Sequence, residues 1–88
     1  MYVIVAYDVG VEKVNKVKAF LRMHLTWIQN SLFEGELTES KYMAIKTDLS
    51  DIIDPTKDSI VFYILPHIKI LSKETLGVTK GSSEEIIF

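Results

Sequence analysis

MYVIVAYDVG, the stretch that occupies residues 1–10, carries the pattern around which the rest of the chain must fold. Residues 1–6 are almost entirely apolar and include the β-branched run Val3-Ile4-Val5, which is typical of a strand buried on both faces. Tyr7-Asp8-Val9 ends this run, and Gly10 breaks it. We therefore predict a buried first strand, with the carboxylate of Asp8 directly after it.

Two amphipathic helices are predicted from apolar residues that recur at helical spacing. The first extends from Val11 to Leu25, and its apolar stripe consists of Val14, Val17, Leu21 and His24. The second follows Thr38, which has the side chain of an N-cap residue, and its stripe consists of Tyr42, Ile45, Leu49 and Ile52. This helix ends near Ile53, because the proline of Asp54-Pro55 disfavours a helical conformation at the residue before it.

The remaining ordered segments are predicted to be extended. Residues 26–37 alternate in polarity, but Gly35 within them leaves open a bulge, a bend or a break between two short strands. Residues 58–65 are dominated by large apolar side chains and predict another strand. Residues 68–76 alternate apolar and polar side chains and predict a half-buried strand.

The element order is therefore strand, helix, one or two strands, helix, strand and strand. Strands interleaved with two amphipathic helices predict an α+β domain with a single sheet and both helices on one face. A ferredoxin-like βαββαβ arrangement fits this order best and accounts for residues 1–66 of a single folded domain. Residues 67–88 supply an extra C-terminal strand, one more than such a domain needs, and a tail ending in Ile86-Ile87-Phe88.

The composition restricts the classes of protein to consider. The chain has 88 residues, of which 48% are hydrophobic and 25% charged, as in an ordinary globular domain. Its net charge of -2 lacks the basic excess that nucleic-acid-binding proteins usually carry. The absence of cysteine excludes disulfides and thiolate zinc sites and predicts a cytoplasmic protein. No apolar run is long enough to cross a bilayer, so no membrane partner is expected, and so small a core favours oligomerisation.

Asp8 is the leading candidate for chemistry, because sheets of α/β proteins often place functional side chains at the end of a buried strand. The alternative is that Asp8 supports the turn into the first helix. One carboxylate does not make a metal site by itself, but a two-fold dimer would bring a second copy of Asp8 to it.

The first helix is basic, and its cations have two interpretations. They form either a solvated face or a set of phosphate contacts, and they are Lys13, Lys16, Lys18 and Arg22. Trp27 and Phe33 have aromatic rings able to stack on bases, although alternating strand positions more often place such rings in the core.

Several motifs resemble those of one protein family over nearly the whole chain. They are, in order, Tyr7-Asp8-Val9, Lys16-Val17, Gln29-Asn30-Ser31-Leu32-Phe33-Glu34-Gly35-Glu36-Leu37-Thr38 and Asp58-Ser59-Ile60-Val61-Phe62-Tyr63. The chain thus resembles the small CRISPR-associated endoribonuclease family, the smaller of the two core proteins of spacer acquisition. It departs from the family pattern at Lys13 and Lys16, where arginine is frequent, and lysine lacks the bidentate fork of arginine.

The resemblance implies a homodimer in which residues 67–88 pack on the partner subunit. It implies that Asp8 of both protomers binds Mg²⁺ and is catalytic in a metal-dependent endonuclease that cuts RNA, and in some members duplex DNA, in defence against foreign nucleic acid. Tyr7 and Phe33 are expected to shape this site. The expected contacts to RNA or DNA are Lys13, Lys16, Lys18 and Arg22. The expected protein partner is the larger CRISPR integrase subunit.

Other interpretations stay open at this stage. The chain could be a non-catalytic scaffold dimer that holds protospacer DNA and bridges the integrase subunits. A ferredoxin-like regulatory domain that senses a small molecule is a third possibility, although the sequence has no glycine-rich ligand loop. The C-terminal Ile86-Ile87-Phe88 either packs on its own dimer or, as the resemblance favours, docks on the integrase.

Overall fold

The computed structural model describes residues 1–81, and within them the predicted α+β architecture is confirmed. The elements, in order, are β1 (Tyr2–Asp8), α1 (Val14–Arg22), β2 (Thr26–Gln29), β3 (Leu32–Glu36), α2 (Glu39–Ile52), β4 (Ser59–Leu65) and one turn of 3-10 helix (Ile68–Ile70). No helix among the described residues is long and apolar enough to cross a membrane. The predictions made for Ile86-Ile87-Phe88 lie outside the described residues.

The strands form one antiparallel sheet in the order β2-β3-β1-β4, which is the order of a ferredoxin-like fold. β1 is central and pairs along its length with both neighbours, so that Val5 lies opposite Phe33 of β3 and Phe62 of β4. A strand with a partner on each side has both rows of backbone polar groups satisfied, as the apolar opening of the chain predicts.

The two faces of the sheet differ in what covers them. Val3, Val5 and Tyr7 of β1 belong to a single buried cluster that the helices complete with Val17, Leu21, Ile45 and Leu49. Because side chains alternate across a strand, Ile4, Ala6 and Asp8 point to the opposite side. We call this side the open face; its residues on β4 include Val61 and Tyr63, which pair with Ala6 and Ile4.

Residues 26–37 form two strands joined by a tight turn at Asn30 and Ser31. Asn30 has a φ of 43°, a left-handed conformation that asparagine tolerates better than most residues. The indole N–H of Trp27 donates a 3.0 Å hydrogen bond to the carbonyl oxygen of Asn30 and closes the turn. Gly35 lies inside β3, where an added Cβ would come within 2.9 Å of a methyl carbon of Leu25. Gly35 therefore permits close packing and does not interrupt the strand.

Two predicted boundaries were wrong at the start of the chain. β1 continues to Asp8, because its pairing with β4 extends to the partner residue Ser59. α1 begins at Val14 and not at Val11, because residues 11–13 form a turn in which the Lys13 N–H donates to the carbonyl oxygen of Gly10 at 2.8 Å. α2 agrees closely with its prediction, and the Thr38 hydroxyl caps it by accepting the Lys41 N–H at 3.2 Å.

The segment after β4 differs from its prediction within the single chain. Residues 68–70 form a 3-10 turn and residues 71–80 pair with none of the four strands, although a strand was expected over 68–76. A strand exists only through its hydrogen-bonded neighbour, so alternating polarity without a neighbour does not produce one. The predicted pairing with a partner subunit concerns a second chain and stays a prediction.

Lys73 brings this C-terminal segment onto the open face. Its Nζ lies 2.9 Å from both carboxylate oxygens of Glu34, which also accepts a 2.5 Å hydrogen bond from the Tyr2 hydroxyl. The Glu34 side chain is only 8% exposed, and a buried carboxylate requires such partners to offset its lost hydration. Farther along, Gly81 has a φ of +86°, and an added Cβ would lie less than 3.0 Å from the carbonyl oxygens of Trp27 and Ile28.

Gly81→Ala is expected to loosen residues 71–81 from the sheet. Gly77→Ala is the matched control, because Gly77 also has a positive φ, of +87°, but open space around it. Alanine in that conformation costs about 1–2 kcal/mol at either site, and at Gly81 the steric overlap adds to this cost. Limited trypsin digestion at Lys73 and Lys80 should therefore accelerate more for Gly81→Ala than for Gly77→Ala. Equal rates for the two variants would contradict the observed packing.

Candidate functional site

An open pocket of about 350 Å³ lies where β1 ends. Three elements supply its walls: the end of β1, the first turns of α1 and the turn between β2 and β3. The lining residues are Tyr7, Asp8, Val9, Val14, Asn15, Lys18, Asn30 and Ser31. Aspartate and lysine are its charged members, and two amides and a hydroxyl are the other polar side chains, so the pocket suits a polar, charged ligand.

Asp8 is the last residue of β1 and is exposed. Within residues 1–81, its carboxylate has no hydrogen-bond or ion-pair partner, so both oxygens remain available to a ligand. The alternative role predicted for Asp8, support of the turn into α1, belongs in the structure to Asp58, which accepts a hydrogen bond from the N–H of Gly10. No group of three or more His, Asp or Glu residues in the described part of the chain is arranged to hold a metal ion.

Lys18 is the predicted phosphate contact that lies in the pocket with Asp8. Its ammonium also lies 5.3 Å from the ring centroid of Trp27, a cation–π contact that orients the side chain. Lys16 and Arg22 are exposed on the same helix but do not line the pocket. The four predicted cations are therefore not equivalent, and Lys18 has the position closest to the candidate chemistry.

Lys13 is engaged inside the protein. Its ammonium donates a 2.5 Å hydrogen bond to Asp58 and lies 3.9 Å from a carboxylate oxygen of Glu12. The hydrogen bond to Asp58 raises the pKa of Lys13 above its usual value, so this cation keeps its charge but already has a counter-charge.

Tyr7 and Phe33 are the residues predicted to shape the site, and their rings pack against each other. Tyr7 is 6% exposed and lines the pocket, whereas Phe33 is fully buried and does not. Their rings stack with centroids 6.2 Å apart and an interplanar angle of 28°. Burial raises the pKa of the Tyr7 phenol, and the positive charge of Arg22 acts in the opposite direction. Tyr7 is thus a neutral wall of the pocket, held in place by Phe33.

Sequence reasoning missed the polar side chains Asn15, Asn30 and Ser31. Asn30 and Ser31 lie within a run of residues that alternate in polarity, a pattern typical of a strand. Only Asn30, a residue that favours turns, could have indicated the turn between β2 and β3 that brings both residues to the pocket. Asn15 belongs to a solvent-facing helical position that periodicity does not distinguish from others.

The role of Asp58 was also missed. This residue was noted only as part of a motif at the start of a strand, yet its side chain is 2% exposed. The N–H of Asp54, the ammonium of Lys13 and the N–H of Gly10 all donate to it and lower its pKa to about 2. A carboxylate placed between a proline-containing turn and a strand rich in large apolar residues was the available signal.

Comparisons with known proteins agree with one another. The family model described as CRISPR associated protein Cas2 matches residues 1–71. A protein of Pyrococcus furiosus named CRISPR-associated endoribonuclease Cas2 is 55% identical over 87 residues, which cover 99% of this chain and 100% of the relative. A Methanosarcina acetivorans protein with the same name is 48% identical with the same coverage. A solved structure described as a crystal structure of cas2 superposes with a TM-score of 0.85 at 42% identity, covering 99% of this chain and 98% of that one.

Asp58 is expected to make folding stability depend on pH in the acid range. Because its pKa falls from 3.8 to about 2 on folding, its stabilisation is complete above pH 3.8 and disappears as the pH falls through about 2. Thermal melts of the unmodified chain and Asp58→Asn should therefore differ most above pH 4 and converge toward pH 2. Asp51→Asn, at an exposed position of α2, is the control. A difference that stays constant between pH 5 and pH 2 would contradict this assignment.

Proposed function

Since the chain belongs to the CRISPR associated protein Cas2 family, we propose that it is a Mg²⁺-dependent endoribonuclease that acts as a homodimer in the cytoplasm during CRISPR spacer acquisition. The name endoribonuclease, which its relatives carry, supports cleavage of RNA phosphodiester bonds, and duplex DNA is a second substrate of the same chemical class. The single observation that carries the proposal is the exposed carboxylate of Asp8, which has no partner within residues 1–81, at a pocket that Lys18 also lines.

The donor set of this pocket fits Mg²⁺. This ion prefers oxygen ligands, and it is commonly held by one or two carboxylates, with waters and substrate phosphates completing its coordination. Asp8 offers two carboxylate oxygens that have no other partner within residues 1–81. When bound there, Mg²⁺ supplies a Lewis acid for the phosphoryl oxygen and a water of lowered pKa.

The residues around Asp8 bind and orient the substrate in this proposal. The ammonium of Lys18 attracts a phosphate, and the amides of Asn15 and Asn30 donate to its oxygens or to a ribose hydroxyl. The buried ring of Tyr7 closes the floor of the pocket and excludes water from that side. Lys16 and Arg22 extend the positive surface along α1, where they meet phosphates farther along the nucleic acid.

The open face supports the proposed homodimer. Val61 and Tyr63 are 42% and 56% exposed on β4, beside Ile4 and Ala6 of β1. Large apolar side chains exposed together mark interaction surfaces, and a domain of this size gains stability by covering them. Asp8 lies on the same face, so a two-fold axis through it brings two Asp8 carboxylates toward each other. This dimer supplies a second carboxylate, which the pocket lining within residues 1–81 does not.

A non-catalytic scaffold is the second candidate function. The observation that favours it is the presence of one carboxylate among the eight residues that line the pocket, whereas holding DNA requires only the cations of α1. In this role the dimer holds protospacer DNA and bridges subunits of the larger CRISPR integrase. Metal-dependent cleavage by the purified protein, measured beside DNA binding, separates the two functions.

Asp8→Asn is expected to abolish metal-dependent cleavage while leaving the dimer intact. The substitution keeps the size of the side chain but removes the charge that binds Mg²⁺, so the rate with a labelled single-stranded RNA should fall at least about a hundredfold. Asp48→Asn, at an exposed position of α2, is the matched control and should cleave normally. Persistence of full activity in Asp8→Asn would place the activity elsewhere.

Tyr63→Lys is expected to dissociate the dimer by placing a charge within the apolar part of the open face that the partner covers. Met43→Lys is the control, because Met43 is 54% exposed on α2 and Tyr63 is 56% exposed on the open face. Light scattering at micromolar concentration should give about twice the chain mass for the unmodified protein and for Met43→Lys, and a lower mass for Tyr63→Lys. A monomer in all three samples would remove the basis for a shared metal site.

A further inference from the structure

Asp58 collects hydrogen bonds from two separate connections of the chain. Its Oδ1 accepts the N–H of Gly10 at 2.8 Å. Its Oδ2 accepts the N–H of Asp54 at 2.8 Å and the ammonium of Lys13 at 2.5 Å. The Asp58 side chain is 2% exposed, so its carboxylate depends on these hydrogen bonds to offset its lost hydration.

The donors place Asp58 directly behind the candidate site. Gly10 and Lys13 belong to the connection between β1 and α1, which begins immediately after Asp8. The next residues of the chain, Val14 and Asn15, line the pocket. The Asp58 carboxylate therefore joins the β1 wall of the pocket to its α1 wall.

Within residues 1–81, no side chain caps the beginning of α1. Lys13 occupies the N-cap position, and its side chain forms no capping hydrogen bond to the helix. The helix start is instead fixed from outside, through the Asp58 contacts with Gly10 and Lys13. Without these contacts, the positions of Asn15 and Lys18 relative to Asp8 would be less well fixed.

We propose that Asp58 is a positioning residue for the Asp8 site and that Lys13 is its internal counter-charge, not a contact to nucleic acid. The relevance to catalysis rests on the proposed function, whereas the structural role rests on the hydrogen bonds alone. Asp58 acts through Gly10 and Lys13 and does not touch the substrate.

Asp58→Asn tests the structural part. Asparagine has the same shape as aspartate. Its NH₂ group, however, is itself a donor and must face at least one of the groups that now donate a hydrogen bond to the carboxylate. Amide hydrogen exchange measured by NMR should be at least about tenfold faster at Gly10 and Asp54, and this acceleration should exceed the one that global destabilisation produces at Val5 in the centre of the sheet. Asp51→Asn should leave all three amides unchanged.

Substitutions of Lys13 test the second part without relying on cleavage. Binding of a fluorescein-labelled single-stranded RNA is measured in EDTA over a range of salt concentrations. Lys18→Met removes a phosphate contact. The slope of log K (the RNA association constant) against log salt concentration should therefore become less negative by about 0.7. Lys13→Met should leave that slope unchanged, yet it should accelerate exchange at Gly10 as Asp58→Asn does, and Lys13→Arg should restore protection.

The catalytic part is measured by kcat and KM for the same RNA with Mg²⁺. Asp58→Asn and Lys13→Met should lower kcat at least about tenfold with little change in KM, and the double variant should be no worse than Asp58→Asn alone. Exchange at Gly10 that is unaffected by Asp58→Asn would overturn the proposal, and so would a reduced RNA-binding slope in Lys13→Met. If the unmodified chain does not cleave, the proposed nuclease function fails, while the exchange and binding results still decide the structural role of Asp58.

Discussion

Strand β1 is hydrogen-bonded to β3 on one side and to β4 on the other, and this double pairing determines where every other element lies. Its alternate side chains divide the molecule into a covered face, with Val3 and Val5 in the core, and an open face with Ile4 and Asp8. Because the pairing with β4 continues to Ser59, Asp8 has a fixed backbone at the end of a rigid strand. A carboxylate held in this way would need little rearrangement to bind the ligand proposed for it.

The charged residues near this site divide into internal ion pairs and groups that line the pocket. Lys13 and Asp58 neutralise each other inside the protein, and Glu34 is neutralised by Lys73 on the open face. Asp8 and Lys18 remain in the pocket as an anion and a cation without a charged partner among residues 1–81. Charges that are paired internally are already neutralised, whereas Asp8 and Lys18 are the groups to which the proposed function assigns a metal ion and a phosphate. In the proposed function, this division lets a chain with a net charge of -2 present local cations to nucleic acid.

Much of the fold could be predicted from the sequence because hydrophobic periodicity reports burial directly. The stripes of both helices contain Val17, Leu21, Ile45 and Leu49, which the structure buries. Features that depend on contacts between distant parts of the chain were not predictable in this way. The delayed start of α1 depends on Asp58, more than forty residues away, and the turn at Asn30 depends on a left-handed conformation that alternation conceals. The position of Asp8 in the pocket could be anticipated because it comes at the end of an apolar strand, whereas Asn15, Asn30 and Ser31 reach the pocket only through tertiary packing.

The most direct test of the central claim is a crystal structure of the protein grown with Mn²⁺ as an anomalous substitute for Mg²⁺. The account predicts a two-fold dimer with one metal ion between the two Asp8 carboxylates, at metal–oxygen distances of about 2.0–2.3 Å. An Asp8→Asn crystal grown in the same way should show the same dimer without the ion. A dimer in which the two Asp8 residues lie on separate surfaces, or a metal ion bound at a position without Asp8, would contradict the account.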